Sequence, residues 1–147
     1  MEILPIYAIT GILASLGLLC GFVLAKFVKE ELEAGDRYFL YLKWILAITI
    51  IGLLFYYTFN VFVIVIGLIF LFILYFKQKN YLVEVEYALL GILYHLAFTI
   101  KSYEVIGLIF VYGLPAGTRY YTHKKHWLDI IVSMLIFFAV ALGLFIL

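Results

Sequence analysis

Between Tyr38 and Phe76 the chain runs for 39 residues with a single charge, Lys43. As one helix, at 1.5 Å per residue, that run would reach about 58 Å, nearly twice the roughly 30 Å hydrocarbon core of a bilayer. A segment this long and this apolar has to double back, so it is read as a transmembrane hairpin. Its turn is placed at Thr58-Phe59-Asn60, because Asn60 is the strongly polar residue there and Asn tolerates turn conformations.

Charged or polar clusters at 29–37, 77–80, 101–104 and 119–126 separate the other apolar runs. Six helices are therefore expected, at residues 3–28, 38–58, 61–76, 81–100, 103–121 and 127–147. The fold class is an all-α integral membrane protein, a bundle of six transmembrane helices with short loops in one domain, 1–147. Composition agrees: 68% of residues are hydrophobic and 13% charged, against roughly 45–50% and about 25% in soluble domains. Six spans of about 20 residues would take about 120 of the 147 positions and leave no room for a soluble domain. The formal charge of +1 carries no polyelectrolyte signal, so the expected partner is the lipid bilayer and not nucleic acid. Cys20 is the one cysteine and lies in an apolar run, where it packs as a small hydrophobe. The first run is too long for a signal-peptide core and lacks a basic n-region, so it is read as a retained first span.

Loop Lys and Arg gather on the cytoplasmic side of membrane proteins. With six spans the first, third and fifth connections share a side, and nine of the ten basic residues fall on or near it; Lys101 alone faces the other way. This segregation places both termini on the extracytoplasmic side and the protein in the cell membrane. Tyr38, Tyr41, Trp44, Tyr81, Tyr120, Tyr121 and Trp127 mark the interfaces.

Val65-Ile66-Gly67-Leu68-Ile69-Phe70 recurs unchanged as Val105-Ile106-Gly107-Leu108-Ile109-Phe110. The match extends backward to Gly52 against Gly91 and Phe59 against Phe98, with one inserted residue near the turn. Residues 38–76 and 81–121, helices two and three and helices four and five, are read as a parallel duplication of a helical hairpin. A second echo, Ala34-Gly35-Asp36-Arg37-Tyr38 and Ala116-Gly117-Thr118-Arg119-Tyr120, falls in a different register and is read as turn and interface chemistry alone.

Ionisable groups inside a membrane are costly and mark functional sites by default. On a 100° wheel Glu84, Ala88, Gly91, His95 and Thr99 share one stripe of the fourth helix, with Glu86 on the opposite face. In the fifth helix, Pro115 removes the N–H that the Val111 carbonyl would bind, and Gly113 and Gly117 flank it, so a kink or break is expected there. The candidate ion or substrate path is therefore Glu84, Glu86, Gly91, His95, Thr99, Val111, Gly113, Pro115 and Gly117. In the first helix Ala14, Gly17, Gly21 and Ala25 form a row of small residues suited to close helix packing, internal or between subunits. His123, His126 and Asp129 have helical spacing but diverge in direction and sit in a basic loop, so no metal site is read there.

These features point first to a small transporter or channel, passive or ion-coupled, for an ion or small solute. The alternative is a structural or accessory subunit of a larger membrane complex, or a homo-oligomer, working through its lipid-facing contacts. An intramembrane enzyme fits less well, since no nucleophile with a spaced base and no metal-ligand or phosphate-loop motif is present; no catalytic residue and no cofactor is assigned.

Overall fold

The computed structural model describes residues 3–28, 32–76, 83–123 and 126–146, and the side chains of all of these except Glu33, Val83 and His123. The described residues form six helices: α1 (Ile3–Phe27), α2 (Leu32–Thr58), α3 (Val61–Phe76), α4 (Val83–Thr99), α5 (Tyr103–His123) and α6 (Trp127–Ile146). The Lys29, Lys77, Lys79, Lys124 and Lys125 of the expected basic side lie outside the described residues, as does Tyr81.

Two helix boundaries show how local chemistry ends a helix. At Phe59 the backbone turns left-handed (φ 47°) and its N–H bonds the Phe55 carbonyl at 2.7 Å, which closes α2 with a single αL cap. Asn60 then accepts the Phe62 N–H at 2.9 Å and so caps α3. The polar residue of the hairpin is thus the cap, and the left-handed position falls on the aromatic before it. At the end of α4, Lys101 (φ 57°) takes the same role. Its N–H bonds Phe98 O at 3.0 Å and the Ser102 N–H bonds Ala97 O at 2.9 Å, the paired bonds of a Schellman motif built on lysine in place of glycine.

One boundary differs from expectation. Helix α2 begins at Leu32, six residues before Tyr38. The segment Leu32–Arg37 looks like loop because it is charged, but Leu32 is buried and Asp36 is held by an ion pair to α5, so tertiary contacts extend the helix outward.

Contacts between helix ends fix the directions of the helices. Phe22, near the end of α1, meets Tyr121 near the end of α5 with ring centroids 5.2 Å apart. Asp36 at the start of α2 pairs with Arg119 at the end of α5, and Tyr120 donates a hydrogen bond to Asp129 at the start of α6. At the opposite end Tyr7 of α1 packs on Phe98 of α4 at 4.7 Å and on Phe145 of α6 at 4.6 Å. So α1 and α5 run one way and α2, α4 and α6 the other. These ends are called the Arg119 end and the Tyr7 end below.

The most extensive helix pairing joins α1 and α5. A Cβ built on Gly17 would lie 1.9 Å from Phe110 O, one on Gly21 2.1 Å from Leu114 O, and one on Gly117 2.1 Å from Leu18 O. Backbone therefore touches backbone along this seam, as small residues allow when lipid gives helices no hydrophobic reason to associate. Ala14 and Ala25 are buried on the same face of α1. Thr118 adds a hydroxyl between its own Leu114 O (2.8 Å) and Gly21 O of α1 (3.3 Å).

Helix α5 also packs on α2 and α4 and is the most enclosed of the six. Three helical stretches are long and apolar enough to cross a membrane: α1, Ala34–Thr58 of α2, and α6; α3 is apolar but has 16 residues. The exterior suits lipid. Leu68, Phe72 and Leu135 are each about 60% exposed, whereas Lys43, Glu86 and Arg119 are at most 8% exposed. Apolar outside and charged inside reverses the water-soluble arrangement and matches a hydrocarbon solvent. The chain is an all-α protein with a membrane-type surface.

Candidate functional site

Lys43 is the twelfth residue of α2's 27 and Tyr112 the tenth of α5's 21, so both stand near the middle of their helices. Between them, from the first turn of α4, comes Glu86. The Lys43 Nζ lies 2.7 Å from Glu86 Oε2, and the Tyr112 hydroxyl donates to the same oxygen at 3.1 Å. Lys43 Nζ also stands 5.6 Å from the centroid of the Tyr112 ring, within cation–π range. The ion-pair side chains are 4% and 10% exposed. Phe70 of α3 closes the site with its ring 5.8 Å from that of Tyr112. Three helices thus converge on one desolvated carboxylate, and α3 packs on its tyrosine.

Tyr87, next to Glu86, is fully buried, and its hydroxyl has no hydrogen-bond partner among the described residues. Glu84 Oε2 is likewise buried without a partner there. A buried polar atom left unmade costs about 1–3 kcal/mol, so these two groups mark this end of α4 as a place where packing alone does not set the composition.

Towards the Arg119 end the charge continues. Arg119 binds Asp36 through Nε (2.9 Å) and Nη2 (3.1 Å), the fork geometry that favours arginine over lysine. Both members come from the Ala-Gly-x-Arg-Tyr echo: Asp36 from the first occurrence and Arg119 from the second. What looks like two independent boundary motifs is one tie between α2 and α5.

At the Tyr7 end a second polar cluster forms. Tyr94 donates to the Tyr7 carbonyl and lies 2.7 Å from Thr10 Oγ1. Tyr7 gives its only hydroxyl proton to Ala141 O at 2.7 Å. Its 3.3 Å contact with His95 Nδ1 therefore needs the ring to donate, which leaves Nε2 as the imidazole's acceptor. His95 borders a cavity of about 480 Å³ shared with Thr99, Lys101, Tyr103 and Phe145.

The sequence-based path residues separate into these two clusters and a seam between them. Glu86 enters the central site, Glu84 stands beside it half-buried, and His95 and Thr99 lie at the far cavity. Gly91, midway, is packed: a Cβ there would sit 2.8 Å from Phe137 O, so α4 and α6 touch at that point. Thr99 gives its hydroxyl to its own His95 carbonyl at 2.9 Å. The break expected in the fifth helix is not formed. Helix α5 is continuous through Pro115, with Gly113 and Gly117 turned into the α1 seam and Val111 partly exposed on the outside. Those glycines give α5 its close backbone contact with α1 on either side of Pro115.

Lys43 is the residue that sequence reasoning placed among the interfacial basics. The signal was present: a lone lysine deep in a 39-residue apolar run must find a partner. Comparison of the chain with protein-family models, curated proteins and solved structures finds no match.

Proposed function

We propose that this chain is a multi-pass protein of the cell membrane, with six spans and both termini outside, that acts as a passive or ion-coupled carrier for an ion or small solute. The observation that carries this reading is the Lys43–Glu86–Tyr112 site. Two charges taken out of water cost several kcal/mol each, and a buried pair replaced by apolar residues of similar volume is often no less stable. Intramembrane ion pairs of this kind accompany substrate and proton pathways. The alternation of helix directions supports the six spans.

A carrier is favoured over an open channel by what lies between the two polar clusters. Leu90, Leu93 and Phe137 are fully buried there and Gly91 is closed against α6. A solute held at Glu86 would reach the Tyr7-end cavity only if α4 and α6 part. Such a parting would lift Gly91 off the Phe137 carbonyl and the Val140 side chain of α6.

The test is flux in proteoliposomes, read as transient currents and as internal pH on jumps of a panel of cations, anions and neutral solutes. Wild-type protein should respond to at least one member, and Glu86→Gln, purified as an equally monodisperse particle, should not. No response above protein-free liposomes from the wild type would end the carrier reading, and a stoichiometric partner co-purifying in mild detergent would then put the accessory-subunit reading in its place.

A further inference from the structure

We infer that the Lys43 ammonium is a built-in stand-in for a small monovalent cation, an alkali ion or a primary ammonium, which the Glu86–Tyr112 cage binds when Lys43 gives up its proton and withdraws. This rests on the carrier reading and names its substrate class.

The donor set carries the argument. Around the Lys43 Nζ stand a carboxylate oxygen at 2.7 Å, the Tyr112 hydroxyl oxygen that shares that carboxylate, and the Tyr112 ring at 5.6 Å. Hard oxygens and a π face are what a desolvated monovalent cation needs, and they suit a multivalent ion poorly, since one carboxylate leaves its charge uncompensated. Tyr87, the residue after Glu86, carries a fully buried hydroxyl without a partner among the described residues, which the proposed site would recruit as a further oxygen.

Charge conservation then sets the stoichiometry. In the resting site Lys43 and Glu86 sum to zero. Bringing in a second cation while Lys43 stays charged would leave a net positive charge in a low-dielectric interior, and emptying the site would leave a bare carboxylate; both are expensive. The neutral alternative breaks one N–H bond of the Lys43 ammonium, sends that proton to bulk water, and seats one cation on Glu86. Reversal returns the proton to the Lys43 amine and expels the cation. One proton exchanges for one monovalent cation, with no electron transfer and no net charge moved. The groups that meet Lys43 are Glu86 from α4 and Tyr112 from α5, with Tyr87 next to Glu86 along α4 and Arg119 further along α5, tied to Asp36 of Lys43's own helix; on the α3 side the Phe70 ring packs on Tyr112.

The experiment is thermal unfolding of the whole detergent-solubilised protein, titrated at several pH values with sodium, potassium or methylammonium chloride, with choline chloride as the ionic-strength control. If binding releases one proton, the apparent dissociation constant falls about tenfold per pH unit. In Lys43→Met the exchanged proton has to come from the Glu86 carboxyl, so cation stabilisation should persist with its slope confined to the pH range in which that carboxyl is protonated, and in Glu86→Gln the stabilisation itself should disappear. Wild-type melting that is the same in choline and in all three test salts at every pH overturns the inference, as does cation binding without a pH slope; neither needs a variant to fold. If those results are accompanied by Glu86-dependent flux of another solute, only the cation assignment falls. If no solute moves, the carrier reading falls with it.

Discussion

The bundle's two polar clusters are built around the same side chain, a buried tyrosine, and differ in what that tyrosine binds. At the Tyr7 end the hydroxyls of Tyr7 and Tyr94 donate to the main-chain carbonyls of Ala141 and Tyr7. Around Glu86, Tyr112 donates to a carboxylate and Tyr87 to nothing among the described residues. A backbone carbonyl cannot change its charge, so the first cluster is a fixed tie among α1, α4 and α6. A carboxylate paired with an ammonium can exchange a proton or an ion, so the second is responsive. Residue type does not distinguish the clusters; the partner does.

The largest effect should come from breaking the responsive cluster on one side only. Glu86→Ala strands the Lys43 ammonium among apolar side chains, and removing one member of a buried pair costs about 3–5 kcal/mol. Unfolding in mixed micelles under a denaturing-detergent titration should show that loss. The double variant Lys43→Met/Glu86→Leu should recover most of it, because no charge is left uncompensated, yet should carry no flux. A double variant as unstable as Glu86→Ala would mean that the pair holds the fold together, and the contrast between the clusters would collapse.

Smaller losses are expected at the other end. Tyr94→Phe and Tyr7→Phe each remove a hydroxyl that makes two interhelical hydrogen bonds, each bond worth on average about 0.6 kcal/mol and at most about 1.7 kcal/mol in membrane bundles. Both variants should retain flux. Flux lost in Tyr7→Phe with stability intact would move His95, the contact of that hydroxyl, from the fixed cluster into the responsive one.

How much of this was legible in the sequence follows the range of the interaction. The six helices are written in consecutive residues, as apolar runs and the polar breaks between them. The row Ala14, Gly17, Gly21 and Ala25 is legible for the same reason, since a helix repeats along itself. Its partner row in α5 was masked by Pro115, whose local rule draws Gly113 and Gly117 into the reading of a kink or break when they pack on α1. Lys43 and Glu86 are 43 positions apart, and each taken on its own helix has an ordinary explanation: an interfacial lysine, a glutamate near a helix start. Asp36 and Arg119 are 83 apart and belong to echoes that local turn chemistry explains. Pairings of that kind are set by which helices pack together, and helical periodicity does not carry that information.

The smallest stability effect is the sharpest test of the contrast. Tyr87→Phe removes a fully buried hydroxyl that has no partner among the described residues and leaves the ring, which packs 6.2 Å from Phe137. If the hydroxyl does nothing, its loss removes an unmade hydrogen bond and should leave the protein as stable or more stable, by about 1 kcal/mol. The proposed cation site makes a second demand, because the unpartnered hydroxyl next to Glu86 in the chain is the oxygen it would recruit as a further ligand. Tyr87→Phe should therefore weaken cation binding several-fold while the melting temperature in choline chloride holds or rises. Opposite movement of affinity and stability is the signature of a group kept for function; if the two fall together, Tyr87 belongs with Tyr7 and Tyr94 as part of the frame.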